Sequence, residues 1–124
     1  MFVAKLLGTP PINVFDGTVK GGKLYLGDNA VLDTPDVEDQ NVYVGIRPEG
    51  FVIDPLGGLC CDLKNVEVMG RDITVVSTHP ACENIAIRSI ISAENKIDVT
   101  DSKVRFSLKK NKVFLFCKDT QDRI

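Results

Sequence analysis

The chain has 124 residues, the length of a single domain that can bury one core without a disulfide. Apolar residues make up 44% and charged residues 26%, a balance that excludes an intrinsically disordered chain. Fifteen basic residues against seventeen acidic ones give a net charge of -2, which argues against nucleic acid as a partner. We expect a cytoplasmic protein, since residues 1–11 lack signal-peptide features and no apolar run approaches the roughly 20 residues of a membrane-spanning helix.

The order of elements along the chain predicts an all-β protein that begins with a short helical turn. In residues 1–8, Phe2 and Leu6 share one side of this turn, which Gly8 and the following prolines end. Beyond it, apolar residues alternate with period two in short segments separated by Gly, Asn, Asp and Pro. The strands predicted in this way cover residues 17–20, 23–26, 29–32, 41–47, 51–53, 62–69, 72–77, 85–91, 103–109 and 113–116. About ten short strands predict a barrel or a pair of packed sheets.

The strand at residues 41–47 shows its inward face clearly. Val42, Val44 and Ile46 share that face, and Arg47 lies on the other. Pro48 lacks a backbone donor, so the strand is expected to end there or to reach a sheet edge.

The last two predicted strands read as a hairpin. Residues 103–109 alternate apolar and polar side chains, and residues 109–112 form a polar turn with Asn111 at its tip. Residues 113–116 are apolar on both faces, which predicts a buried second arm.

Catalytic motifs are absent from the sequence. His79 is the single histidine, no G-x-S-x-G surrounds a serine, and neither phosphate-binding glycine motif occurs. The acidic stretch at residues 33–40 reads as a solvated loop, because it lacks the ligand order and the glycine of an EF-hand. We therefore expect no enzyme activity on this chain.

The cysteines fit best as reduced, buried thiols. Cys60 and Cys61 are adjacent, and neither a disulfide framework nor a C-x-x-C zinc motif occurs. The alternative is a metal site in which His79 and Cys82, spaced H-x-x-C, share an ion with a thiolate from the adjacent pair. No metal site is predicted, since nothing in the spacing forces these ligands together.

Two short segments are more specific than the composition. Residues 8–13, Gly-Thr-Pro-Pro-Ile-Asn, predict a rigid extended connector, since a residue before proline avoids the α region. Residues 45–49, Gly-Ile-Arg-Pro-Glu, place Arg47 on the outward face of a strand end and Glu49 just past the proline. A surface ion pair between these two side chains, of little energetic value, is the simplest interpretation.

A third segment, residues 66–72, contains an acidic residue at an apolar position. Glu67 has the same strand parity as Leu63 and Met69, so a regular strand would turn its carboxylate towards an apolar face. Either a β-bulge turns Glu67 outward or the carboxylate has a partner.

These segments, in this order, resemble the C-terminal regulatory segment of the ATP-binding subunit of sugar-type ABC importers, the family of the maltose importer ATPase. In that family a helix that ends like residues 2–8 leads into G-[ST]-P-x-[MI]-N, which residues 8–13 match. The phrases G-[IV]-R-P-E and E-x-[LM]-G follow here at residues 45–49 and 67–70.

The closing phrase of the family, F-D-x-x-T-G-x-R-[IL], is also similar to the end of this chain. Cys117 and Gln121 replace its usual Asp and Gly. The positions that match are Phe116, Thr120, Arg123 and Ile124. The resemblance thus runs from about residue 2 to residue 124.

The resemblance implies a transport-associated OB (TOBE) domain, an OB-like or MOP-like β-barrel of about ten short strands with a short N-terminal helical turn. Residues 1–12 would be the end of a linker helix and a connector from an ATPase domain that lies outside this chain. Residues 13–124 would be the regulatory domain. ATP and Mg²⁺ would bind to the absent ATPase domain, and no cofactor to this chain.

The function implied is regulation and dimerisation of the ATP-binding subunit of an importer of sugars or related solutes. Its expected partners are a second copy of the subunit, membrane permease subunits reached through the ATPase domain, and a regulatory protein, at the inner face of the cell membrane. The alternative is a small-ligand domain that senses an oxyanion or a sugar. The residues to which the family motifs give structural or interaction roles are Pro10, Asn13, Gly45, Arg47, Pro48, Glu49, Glu67, Gly70, Thr120 and Arg123.

Overall fold

The computed structural model describes residues 13–82, 86–92 and 102–118. In these ranges the chain forms ten strands and two 3-10 helices, which confirms the all-β class and the number of strands predicted. The strands are β1 Asn13–Lys20, β2 Lys23–Leu26, β3 Asn29–Asp33, β4 Gln40–Ile46, β5 Phe51–Ile53, β6 Leu59–Met69, β7 Asp72–Thr78, β8 Ile87–Ser92, β9 Lys103–Leu108 and β10 Val113–Cys117. The 3-10 helices are η1 Pro48–Gly50 and η2 Lys110–Lys112. The helical turn predicted at residues 1–8 lies outside the described residues.

The strands form two antiparallel sheets of five. Sheet A has the order β10-β4-β1-β2-β3, and sheet B has the order β5-β9-β6-β7-β8. Between them lies one apolar core, in which the rings of Phe51 and Phe106 meet edge to face with their centroids 5.1 Å apart. The result is a nearly closed barrel, in agreement with the OB-like β-barrel that the family resemblance implies. No helix in the described ranges has the length and apolar character needed to cross a membrane.

A tight turn joins β1 to β2 in sheet A. Lys20 pairs with Lys23, so only Gly21 and Gly22 connect β1 to β2, and their φ angles are +60° and +77°. A two-residue turn with positive φ at both central positions matches the twist of the flanking strands, and glycine adopts it without steric cost.

Two chain segments cross from one sheet to the other at a shared corner. The first runs from β4 in sheet A through η1 to β5 in sheet B, and the second runs from β9 in sheet B through η2 to β10 in sheet A. The Lys109 N–H donates to the Gly50 carbonyl at 2.8 Å, and the Arg47 N–H donates to the Lys112 carbonyl at 3.2 Å. The two bends therefore pair with each other, and we call this region the corner.

The hairpin predicted for the last two strands is wrong. β9 pairs with β5 and β6, whereas β10 pairs with β4. Residues 109–112 do form a turn, but the turn is the 3-10 helix docked on η1, and it directs Val113 into the opposite sheet. The alternation of apolar and polar side chains identifies a strand, but it does not indicate which other strand pairs with it.

Candidate interaction site at the barrel corner

The structure gathers half of the ten family-motif residues at the corner. Glu67 and Gly70 lie elsewhere, in the β6–β7 hairpin. The three others, Pro10, Thr120 and Arg123, lie outside the described residues. The residues at the corner are Asn13, Gly45, Arg47, Pro48 and Glu49.

Asn13 ties the two sheets together at the start of β1. Asn13 is buried, with 4% of its surface exposed, and it lies opposite Ile46 of β4 in sheet A. The amide nitrogen donates to the Ile46 carbonyl at 3.3 Å and to the Arg88 carbonyl at 3.0 Å. The Arg88 N–H donates to the Asn13 side-chain oxygen at 3.0 Å. Since Arg88 belongs to β8, one side chain satisfies backbone groups of both sheets.

The family motif points to Asn13, but nothing in the sequence predicts Arg88 as its partner. The two residues are 75 positions apart, and β8 offers only its backbone N–H and carbonyl. Any residue other than proline carries these two groups, so no side-chain pattern could have indicated the contact.

Arg47 lies on the outward face of sheet A, as predicted. Gly45 is buried and pairs with Phe114, and the Arg47 guanidinium carbon lies 5.6 Å from the centre of the Phe114 ring. This is a cation–π contact. The ion pair suggested for Arg47 and Glu49 is not found in the part of the chain that the structure describes, and the guanidinium packs on the aromatic ring instead.

β4 ends at Ile46 and Pro48 begins η1, which confirms that the strand does not continue through this proline. Arg47 has the extended conformation (φ -68°, ψ 149°) that a following proline favours. Glu49 is half-buried in η1. At the end of η1, a Cβ on Gly50 would lie 2.8 Å from the Cβ of Lys112, so the close approach of the two bends requires glycine.

A β-bulge explains the position of Glu67. The register between β6 and β7 shifts between Leu63 and Asn65. Leu63 packs against the core before the shift and Val66 packs against it after the shift, so Glu67 faces solvent. Its carboxylate accepts a long hydrogen bond of 3.4 Å from the Asn65 side chain. The bulge is therefore the correct one of the two explanations that the sequence left open. Gly70 has a φ of +69° in the turn that closes this hairpin.

His79 belongs to a hydrogen-bonded loop. Its Nδ1 accepts from the Ala81 N–H at 3.0 Å, so the ring proton lies on Nε2 and is donated to the Asn29 side-chain oxygen at 2.9 Å. Partial burial lowers the pKa of His79 below its usual value, and the nearby Asp62 carboxylate opposes this effect. Both ring nitrogens thus have protein partners. Across residues 13–82, 86–92 and 102–118, no three His, Cys, Asp or Glu side chains are grouped to hold a metal ion.

Cys61 is a core thiol. Burial raises its pKa to about 12, although the polar Ser77 side chain opposes this effect in part. The thiolate that binds metals or attacks electrophiles is therefore scarce at neutral pH. The neighbouring Cys60 and Cys82 are half-buried and reduced.

Comparison with known proteins gives matches to transport proteins. Residues 8–51 match the family model described as the MalK OB fold domain. The sn-glycerol-3-phosphate import ATP-binding protein UgpC of Jannaschia sp. (strain CCS1) is 33% identical over 129 aligned positions, which cover 99% of this chain and 34% of that protein.

Two further relatives match over nearly the whole chain. The putative ABC transporter ATP-binding protein MG187 of Mycoplasma genitalium is 28% identical, with 99% of this chain and 21% of that protein covered. UgpC of Psychromonas ingrahamii is 23% identical, and the alignment covers 100% of this chain and 35% of that protein. The chain therefore spans about a third of the length of these relatives, or less.

Proposed function

We propose that this chain, which carries a MalK-type OB-fold domain and is similar to part of the ATP-binding subunits of ABC importers, is the regulatory and dimerisation domain of such a subunit. The observation that carries the proposal is the pattern of coverage. The relatives match this chain from end to end, yet each of them is about three times as long or longer. The parts that hydrolyse ATP would therefore lie outside the matched segment.

The described residues do not fit ATP. A phosphate-binding loop joins a strand to a helix, and its glycines let backbone N–H groups surround the phosphates. Here the glycines with positive φ, at 21, 22, 27 and 70, lie in turns between antiparallel strands, and no α-helix follows any of them. We therefore assign the binding of ATP and Mg²⁺ to the ATPase domain of the subunit.

The corner supports a mechanical role for the domain. Asn13 hydrogen bonds to β4 in sheet A and to β8 in sheet B, so a domain attached ahead of this residue acts on both sheets at once. The barrel would then move as one body when ATPase domains close and reopen. Two such barrels in contact would keep the ATPase domains of two subunits at a high effective concentration.

The partners of this proposal are those of the whole subunit. They are a second copy, the membrane permease subunits reached through the ATPase domain, and a regulatory protein, at the inner face of the membrane. The import ATP-binding proteins among the relatives carry sn-glycerol-3-phosphate in their names, and we propose a sugar or a related polyol derivative as the solute.

The test compares the subunit that carries this segment with a version truncated before residue 13, each reconstituted with its permease in liposomes. We expect the truncated subunit to keep its nucleotide binding and to lose most ATP-driven import, because the contact between subunits is lost. Full import by the truncated subunit would contradict the proposal. Nucleotide binding serves as the control for a folded ATPase domain.

A further inference from the structure

A cavity of about 250 Å³ lies between the two edges of sheet A. One wall comes from the end of β3 and the loop after it, and the other comes from η2 and β10. Its apolar lining includes Leu32 and Val37 on one side and Val113 and Leu115 on the other. These four side chains are half-buried and pack against the core. The cavity is slightly smaller than the roughly 300–1,000 Å³ typical of drug-sized ligands, so it suits a smaller molecule.

The two walls carry opposite charges. Asp36 lines the cavity on the loop side. Lys110 lines it on the η2 side, between Lys109 and Lys112. Among the residues described, Asp36 and Lys110 form no ion pair with each other. The mouth of the cavity therefore presents one anion and one cation from facing walls.

A buried hydroxyl lies in the same wall as Asp36. Thr34 lines the cavity with 6% of its surface exposed, and its Oγ1 has no hydrogen-bond partner. Its backbone groups are paired, since the Thr34 N–H donates to Gly22 and its carbonyl accepts from Val37. A buried hydroxyl without a partner is unfavourable, and a polar ligand atom beside it would remove that cost.

We propose that this cavity binds a small zwitterion with an aliphatic side chain, that is, an aliphatic α-amino acid. The side chain would pack between Leu32 and Leu115, the ammonium would face Asp36, and the carboxylate would face Lys110. An inorganic oxyanion fits less well, because it would meet apolar walls and the Asp36 carboxylate. This site is independent of the role proposed above for the whole domain.

The test is an NMR titration of the full 124-residue chain with three molecules of the same branched skeleton. Leucine carries both charges, 4-methylpentanoate lacks the ammonium, and 3-methylbutylamine lacks the carboxylate. We expect leucine to cause saturable shifts at the amides of residues 32–34, 36–37 and 113–115. Leucine should also bind about fivefold more tightly than either analogue, which is the effect of one exposed charge pair. Leucine shifts that do not saturate, or that lie outside these residues, would overturn the proposal.

Substitution of each exposed charged residue tests the contact with the ammonium and the contact with the carboxylate separately. Lys110→Gln should make leucine bind no more tightly than 3-methylbutylamine, because the partner of the leucine carboxylate is gone. Asp36→Asn should make leucine bind no more tightly than 4-methylpentanoate, because the partner of the ammonium is gone. Lys109→Gln is the matched control, because Lys109 is an exposed lysine beside Lys110 that does not line the cavity. Equal binding of all three molecules to the unmodified chain would contradict the charge assignment. These results leave the import test unaffected, so the two proposals fail separately.

Discussion

At the scale of single residues, Asn13 is a buried polar residue that joins the two sheets. Its carboxamide forms three hydrogen bonds, two of them with the backbone of Arg88 in sheet B. Removing one partner from such a buried arrangement leaves the other groups without hydrogen bonds, and this costs more than the bonds contribute while they are intact.

We therefore expect Asn13→Ala to lower the free energy of unfolding by about 2–3 kcal/mol, as measured by urea denaturation. Asn41→Ala is the matched control, since the exposed Asn41 only accepts a hydrogen bond from the Thr18 hydroxyl; its effect should stay below about 0.5 kcal/mol. Similar losses for both variants would show that Asn13 does not fasten the sheets.

His79 predicts a dependence of stability on pH. Its pKa in the folded chain is below the unfolded value of about 6.5, so the unfolded chain binds more protons in the range between the two values. The free energy of unfolding should be highest above that range and fall as the pH decreases through 6.5 towards the folded pKa. Protonation of Nδ1 would also break the hydrogen bond from the Ala81 N–H.

The measurement is urea unfolding at intervals between pH 7.5 and pH 5.0. His79→Gln should flatten the decrease, because the group that takes up the proton is gone. The Asp62 carboxylate, whose pKa a hydrogen bond from Lys103 lowers, titrates below this window and does not mask the effect. An unchanged slope in the variant would assign the dependence to other groups.

At the scale of elements, the barrel closes where two bends and a pair of glycines bring the sheets together. Besides the corner, Gly57 and Gly58, which come just before β6, lie against the backbone of β9 and of β3. A Cβ on Gly57 would lie 2.3 Å from the Phe106 carbonyl group, and one on Gly58 would lie 2.1 Å from the Ala30 carbonyl oxygen. Ala30 is in sheet A and Phe106 is in sheet B, so these glycines allow backbone to contact backbone between sheets.

Gly58→Ala should therefore lower the free energy of unfolding by about 2 kcal/mol or more, since a backbone carbonyl cannot move aside as a flexible side chain does. Gly21→Ala is the comparison. A Cβ at Gly21 meets no atom within 4 Å, and the positive φ alone should cost about 1 kcal/mol. A smaller loss for Gly58→Ala than for Gly21→Ala would refute the close packing described here.

The strands could be predicted from the sequence, but their partners could not. Period-two alternation and turn residues placed all ten, because each depends on neighbours along the chain. The crossing at η2 depends on η1, some 60 residues earlier, and alternation carries no information about such pairs. The sequence did not predict the Asn13–Arg88 contact or the cavity beside Thr34, because both depend on segments that meet only in the folded barrel.

At the scale of the whole molecule, the described residues form one barrel, and the relatives are longer ATP-binding proteins named for import or as ABC transporters. The barrel leaves some apolar side chains in solvent, among them Val68, with 74% exposed, beside Glu67 in the β6–β7 hairpin. Apolar surface of this kind is available to a second copy, although single exposed apolar residues are common on monomers. Self-association is thus the property on which the proposed dimerisation role depends.

Sedimentation equilibrium of the 124-residue chain over a wide concentration range tests that role most directly. We expect a reversible increase in mass from the 13.6 kDa monomer towards twice that value as the concentration rises. A mass that stays at the monomer value up to millimolar concentration would contradict a dimerisation domain.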